Sequence, residues 1–441
     1  MNVTQEIPYF MRNYGEQHNV SPWAVIVDSQ FIKKMEVLCR EIPIVLHKIL
    51  RHYAEKNPQY LADYFGIPEV QVALFAKDKG RIDDNSIRFD AIVKDAEVSI
   101  IEINSGGSLG GWQHRWVLSE VLAATRELKG FENANFKYRD ILEELFKSYC
   151  QTMVRLKGHK VQGNILFFIP NGIPEGDRED LVRQFTASFE QVKPANLPNA
   201  KLHFFNACGD LQLDSEGRLL FNDEEMDALI LSTESSDDVD VSFCNMMESA
   251  SQKGRFYYPD ALKYSLLGNK LLFALAHEQE VSEFLSVEQI NIIKRYVPWS
   301  TRLNSPQVTY QGHVYNTEEF VINNKNDLLF KKAYSMQGKD VVIGCSLSDE
   351  EWLSFYQQHK EDSGWLLQTY VAPDPVPLAD PKNGFNLYRI VWGIFALQGQ
   401  YAGSFLRGMP EKSDDTVINS ARGATEFLVL EEQAQKNMIL L

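Results

Sequence analysis

The stretch Ile87 to Trp112, IRFDAIVKDAEVSIIEINSGGSLGGW, constrains the fold of this chain more than any other. Two short runs, IRFDAIV and VSIIEIN, flank a polar connection and lead into a glycine-rich loop, the pattern of an antiparallel hairpin. Side chains alternate along a strand, so Arg88 and Asp90 share one face while Phe89, Ala91 and Val93 share the other. The same count sets Glu102 and Asn104 on one face and Ile101 and Ile103 on its reverse. With a three-residue connection Asp95-Ala96-Glu97, Asp90 falls across from Glu102 and Arg88 across from Asn104.

Two carboxylates facing each other in a part-buried patch repel unless a proton or a cation lies between them. The all-oxygen set Asp90, Glu102 and Asn104 suits Mg²⁺, with Mn²⁺ able to substitute, better than zinc. Magnesium keeps positions open for phosphate oxygens, and Arg88 beside it can hold a transferring phosphoryl group or an oxyanion. The alternative for each residue is a hairpin whose outer face is simply polar and solvated.

Composition bears on the partner. The chain has 44 basic and 60 acidic side chains, a net charge of −16, which argues against a nucleic-acid backbone or an anionic membrane as its principal partner. Its 441 residues suggest about three domains. Cys39, Cys150, Cys208, Cys244 and Cys345 are scattered and include no CxxC pair, as expected of reduced thiols in the cytoplasm. The beginning MNVTQEIPYF lacks the basic and apolar blocks of a leader, and no apolar run reaches the ~18–20 residues of a membrane span.

Along the chain, Val27 to Tyr64 carries apolar residues at helical spacing, with Pro43 expected to kink or divide the helix. Helices are also expected over Arg115 to Arg126 and Tyr138 to Leu156. NILFFIPNG, EGDREDLVRQFTASFEQV, KLHFFNA and ALILST alternate strand, helix and strand, indicating an α/β layer. LLFALAHEQE and VEQINIIKRY read as helices, the second opened by a capping box at Ser286. DLLFKK, KDVVIG and WLLQTYV read as strands, and SDEEWLSFYQQ as a helix with a Ser or Asp cap. Strands are expected at Arg389 to Leu397 and Tyr401 to Arg407, ahead of INSARGA.

Taken together, RFDAIV and EINSGG near the front, followed in order by LGNKLL, VPWST, LLFKKAYSMQG, WLLQTYV, SFLR and INSARGA, resemble the circularly permuted ATP-grasp family, the group that includes the glutathionylspermidine synthetase-like ligases. In unpermuted members the RxDF and EIN motifs close the chain. The resemblance spans nearly the full length. It implies an α/β (α+β) fold in which residues 1–155 carry the magnesium-site part, 156–300 form an inserted Rossmann-like pre-ATP-grasp α/β domain, and 301–441 carry the lysine, lid and adenine-binding part.

Position by position, the resemblance implies that Lys270 and Lys331 contact ATP phosphates and that Gln337 and Gly338 belong to the phosphate lid, Ala333 to Gly338. Gln368, Thr369, Tyr370 and Val371 would run along the adenine, and Asn419 belongs to the second asparagine-glycine loop. Arg88 and Arg407 would face the transferring phosphate, and Asp90, Glu102 and Asn104 would hold Mg²⁺. Ser105 and Ser108, in the glycine-rich loop, are candidate substrate contacts. Lys332 stands where the family often has proline, Gln337 where it has glycine and Gln368 where many members have glutamate. The implied reaction joins a small-molecule carboxylate to the amine of an amino acid, peptide or polyamine through an acyl phosphate, releasing ADP and phosphate. The alternatives are phosphoryl transfer without amide formation and a non-catalytic nucleotide-binding protein.

Overall fold

The computed structural model describes residues 19–433, apart from 79–80, 82–83, 96, 108, 132–134, 172, 232–240, 336–337, 381–383 and 414. The beginning MNVTQEIPYF therefore lies outside the described residues. In chain order the elements that build the site are α1 (Ser29–Lys56), β1 (Ser86–Lys94), β2 (Glu97–Ser105), α2 (Ile141–Lys157), β3 (Ile165–Phe168), α3 (Glu175–Val192), β4 (Leu202–Phe205), β5 (Ala228–Ile230) and α4 (Val287–Tyr296). They continue with β6 (Ser300–Arg302), β7 (Leu328–Lys332), β8 (Val341–Ile343), α5 (Asp349–His359), β9 (Trp365–Thr369), β10 (Gly384–Leu397), β11 (Gln400–Pro410) and β12 (Thr425–Glu432).

The chain is a mixed α/β protein organised around a large mixed sheet. Its main path runs from the short strand Asn19–Val20 through β12, β11, β10 and β1 to β2. Strand β1 pairs antiparallel with β10, Ala91 against Trp392 and Phe89 against Ile394, so the front hairpin is stitched to the rear of the chain. Alternate residues of β10 serve different cores. Ile394 and Ala396 pack with the α1 layer, while Phe395 and Leu397 pack with the layer built on α2 and the parallel sheet β5-β3-β4. A third core, with Phe330 stacked 3.9 Å from Trp352, lies between α5 and the four-stranded sheet β6-β9-β7-β8.

Pro43 does not divide α1: the helix runs unbroken through it, opened by Asp28, whose carboxylate accepts from the Gln30 and Phe31 N–H groups. Interior proline costs about 3 kcal/mol. Met35, Leu38 and Ile42 before it and Val45, Leu46 and Ile49 after it are all buried in one core, each worth roughly 1.5–3 kcal/mol, and that burial outweighs the lost hydrogen bond. Ser286 and Gln289 form the expected capping box at the start of α4. LLFALAHEQE departs from expectation: only Leu271–Leu275 is α-helical. The His277 N–H reaches the Ala274 carbonyl at 3.0 Å, the i→i−3 bond of a tightened last turn. Among the described residues, no helix is long and apolar enough to cross a membrane.

Candidate active site

The hairpin places Arg88 across from Asn104 and Asp90 across from Glu102, as the alternation requires. The connection that does this differs from the one expected. Lys94 pairs with Glu97, leaving a two-residue turn with Asp95 at φ 50°, and the register then shifts between Asp90 and Ala91 because Ile101 has no partner on β1. One residue fewer in the turn and one more in the bulge cancel, so the far pairs coincide. The bulge also corrects the faces: Ile100 and Ile103 are in the core, whereas Ile101 turns with Glu102 toward a cleft. Its carbonyl there accepts a 2.8 Å hydrogen bond from Lys331 Nζ.

Strand alternation explains why Lys331 arrives at this point. On β7, Leu328 and Phe330 enter the third core, so Leu329 and Lys331 face the cleft between the small sheet and the hairpin. Lys331 is 4% exposed, and burial pulls its ammonium down to about 8 against the attraction of Glu102. Lys270 enters from the turn before the short helix Leu271–Leu275, with Nζ 3.0 Å from Glu102 Oε1 and donating to the Ser335 carbonyl at 2.9 Å.

Asp90 holds the centre. Arg88 Nε donates to its Oδ1 at 2.9 Å, and Arg407 Nη2 lies 2.7 Å from its Oδ2. Burial alone would raise the Asp90 carboxyl, but Arg407 and then Arg88 outweigh it and hold the group at about 2. Arg407 is not saturated by this pair. Its Nε is buried without a hydrogen-bond acceptor among the described residues, while Nη2 faces Asp90. Four cations (Arg88, Arg407, Lys270 and Lys331) face two carboxylates in the cleft (Asp90 and Glu102), and Glu426 acts on Arg407 from the next strand, so the cations outnumber the carboxylates by one.

One cleft is lined by Asp90, Glu102, Lys331, Gly338, Gln368, Thr369, Tyr370, Val371, Arg407 and Asn419. Arg88 and Lys270 join it through their ion pairs with Asp90 and Glu102. Gln368 donates from Nε2 to Ser300 Oγ at 2.9 Å, while its buried Oε1 accepts from no donor among the described residues. Asn104 is not among the lining residues; its Nδ2 approaches the Arg88 carbonyl at 3.5 Å. Ser105 lies farther along β2, beside Gly268. Ser108 and Gln337 lie outside the described residues.

Asp90, Glu102 and Asn104 offer hard oxygen donors of the kind Mg²⁺ accepts, with water or phosphate oxygens completing its shell. Both Asp90 oxygens already face guanidinium groups, which leaves Glu102, 23% exposed at its side chain, as the more accessible carboxylate. No group of three His, Cys, Asp or Glu residues among the described ones is placed to hold a metal by itself. Three oxygen-bearing side chains are fewer donors than Mg²⁺ takes, so an ion held here would need further oxygens from water or a ligand.

Two supporting groups escaped the reading of the sequence. Asp260 accepts from the Gly107 N–H at 2.7 Å and the Leu231 N–H at 2.9 Å, tying the glycine-rich loop to the end of β5. His114 spans the Gly111 carbonyl at 3.0 Å and Glu426 at 2.7 Å, and the other Glu426 oxygen takes the Ser420 hydroxyl beside Asn419. Asp260 is far in sequence from both its partners, and His114 from Glu426; the visible signal was only an acid in an aromatic segment, FYYPDALK, and a histidine following glycines.

Burial raises the Asp260 carboxyl to about 6. Its unfolded value is about 3.9, so the folded state binds the extra proton between these values and loses stability as pH rises through that window. Urea midpoints at pH 4.5 and 7 are expected to differ more for the wild type than for Asp260→Asn. Comparison with models of known protein families and with the curated proteins found no match.

Proposed function

We propose that this protein is an ATP-dependent carboxylate–amine ligase with a circularly permuted ATP-grasp fold. The observation that carries the reading is the polarity of this cleft. At one end stand a surplus of one positive charge and the buried Nε of Arg407, which has no hydrogen-bond acceptor among the described residues; at the other is the unpartnered acceptor Gln368 Oε1. A nucleoside triphosphate with one divalent ion carries the complementary pattern: net charge of about −2 at the phosphates and an exocyclic amine on adenine. Buried polar groups left unmade cost about 1–3 kcal/mol each, which a ligand of this shape would recover.

In this reading Lys331 and Lys270 neutralise the phosphates, Arg88 and Arg407 stabilise charge on the transferring group, and Gln368 to Val371 hold the base. Glu102, Asp90 and Asn104 would hold Mg²⁺, which supplies further charge neutralisation when bound. Phosphoryl transfer asks for positioning and electrostatics rather than a protein nucleophile. A substrate carboxylate attacks the γ-phosphate to give an acyl phosphate and ADP. An amine then attacks the acyl carbon, phosphate leaves, and the nitrogen gives up its proton. The partners are thus small carboxylates and amines.

Incubation with MgATP and pooled amino acids, polyamines and small peptides should yield ADP, phosphate and a new amide by mass spectrometry. A second reading, nucleotide binding without turnover, is favoured by the double occupation of Asp90. It gains if nucleotide binds with no ADP formed, whereas ADP without amide indicates phosphoryl transfer alone. Lys331→Ala is expected to weaken ATP binding by about 10–100-fold, since an ammonium on a buried phosphate is worth about 1.5–3 kcal/mol. With its ammonium at about 8, wild-type affinity should also fall as pH rises above that value, by at most about tenfold per unit, and the variant should lose this dependence.

A further inference from the structure

The fold holds His114 where both of its ring nitrogens face acceptors. The ring lies on the turn Trp112–Val117 that follows the glycine-rich loop, 3% exposed, with Nδ1 3.0 Å from the Gly111 carbonyl and Nε2 2.7 Å from Glu426 Oε2. A backbone carbonyl can only accept. A neutral imidazole carries one N–H, so its second nitrogen would set a lone pair against an oxygen lone pair in a buried site. Both contacts are hydrogen bonds only if the two side chains together hold one proton more than a neutral imidazole and a carboxylate do.

Glu426 decides where that proton rests. Its Oε1 accepts from the Ser420 hydroxyl, and it acts on the Arg407 guanidinium from the facing position on β12. A donor and a cation both favour the carboxylate form, which puts the proton on His114. Two arginines oppose a third cation here: the Phe405 ring centre is 5.0 Å from that of the imidazole, 5.8 Å from the Arg88 guanidinium carbon and 5.7 Å from that of Arg407. Both arginines, however, are already answered by Asp90, whereas Glu426 touches the imidazole directly. Arg115, the other charged residue of the turn, is tied to Asp140 at 3.2 Å.

We propose that His114 is held as an imidazolium whose proton cancels the charge of Glu426 at Arg407, making it a positioning residue for the transferring phosphate. It acts through Glu426 and touches no substrate. Counted with Glu426 alone, the cations of the cleft outnumber the carboxylates by one; with His114 charged the excess is two, which matches the charge of about −2 on a nucleoside triphosphate with one divalent ion. Two side chains outside the cleft thus set how much of Arg407 is left for phosphate. The charge state stands on the hydrogen-bond geometry; its effect on nucleotide rests on the ligase reading.

Four forms of the full chain test it, because the charge of the pair changes among them in an order that packing does not reproduce. In the wild type, in Glu426→Gln and in the double variant His114→Gln/Glu426→Gln the pair is neutral. His114→Gln alone leaves Glu426 uncancelled, although its amide keeps two donors for the same acceptors. Calorimetry at pH 7 should show MgATP bound about tenfold more weakly by His114→Gln, and within about threefold of wild type by the other two variants. A merely structural contact would not be rescued by removing its partner. His114→Asn serves in the same cycle if the glutamine variant does not fold. Nitrogen-15 spectra of histidine-labelled wild type, with His114 assigned by its loss in the variant, should show protons on both ring nitrogens. A bare ring nitrogen, or a double variant no better than His114→Gln, overturns the proposal. Wild-type protein that binds no MgATP removes the ligase reading instead, and the ring signals still decide the state of His114.

Discussion

Arg407→Leu is expected to destabilise the fold by about 3–5 kcal/mol, the largest stability effect of any single change at the site. Arg407 and Asp90 are each only 6% exposed, and leucine would leave Asp90 buried with Arg88 as its sole cationic contact. The cost arises from the stranded charge more than from the lost attraction, so Asp90→Asn in the Arg407→Leu background should recover a good part of it. The pH dependence should change too. A carboxyl held at about 2 contributes stability above about pH 4 that disappears as pH falls toward 2, and this contribution shrinks when its first cation is removed. Guanidinium denaturation of the four members of the cycle at pH 4 and 7 measures both effects; additive single changes would show that the pair is not coupled.

The largest effect on activity is expected from Glu102→Gln, which should lower turnover by about 10²–10³-fold, comparable with loss of one preorganised group that stabilises developing charge. The substitution preserves shape and hydrogen bonding but removes the more accessible carboxylate. It also releases Lys270, whose Nζ keeps its bond to the Ser335 carbonyl. Because the Glu102 side chain is 23% exposed, the melting temperature should stay within a few degrees of wild type. Steady-state ADP release at saturating MgATP is the readout. Activity near that of wild type would take the hairpin out of the chemistry.

The hairpin was legible because a period of two admits few ways to pair Arg88, Asp90, Glu102 and Asn104. The bulge at Ile101 was not, since an extra residue in one strand leaves no mark in local composition. Yet the bulge turns a backbone carbonyl toward Lys331, joining stretches far apart in the chain. Lys331 itself was legible as the end of a strand, but its burial depends on the third core formed by Phe330 and Trp352. Asp260 and the His114–Glu426 pair were illegible for a related reason: their partners are backbone groups and side chains assembled only by the tertiary fold. Pro43 shows the converse, a strong local breaker overruled by a continuous buried stripe.

The most direct test of the central claim is a structure of the full chain with Mg²⁺ and a non-hydrolysable ATP analogue. The account predicts phosphates within hydrogen-bond distance of Lys331 Nζ and Arg407, a divalent ion against Glu102, and the base beside Gln368. An analogue bound elsewhere, or a triphosphate that leaves both lysines in their present bonds to Ile101 and Glu102, would contradict it.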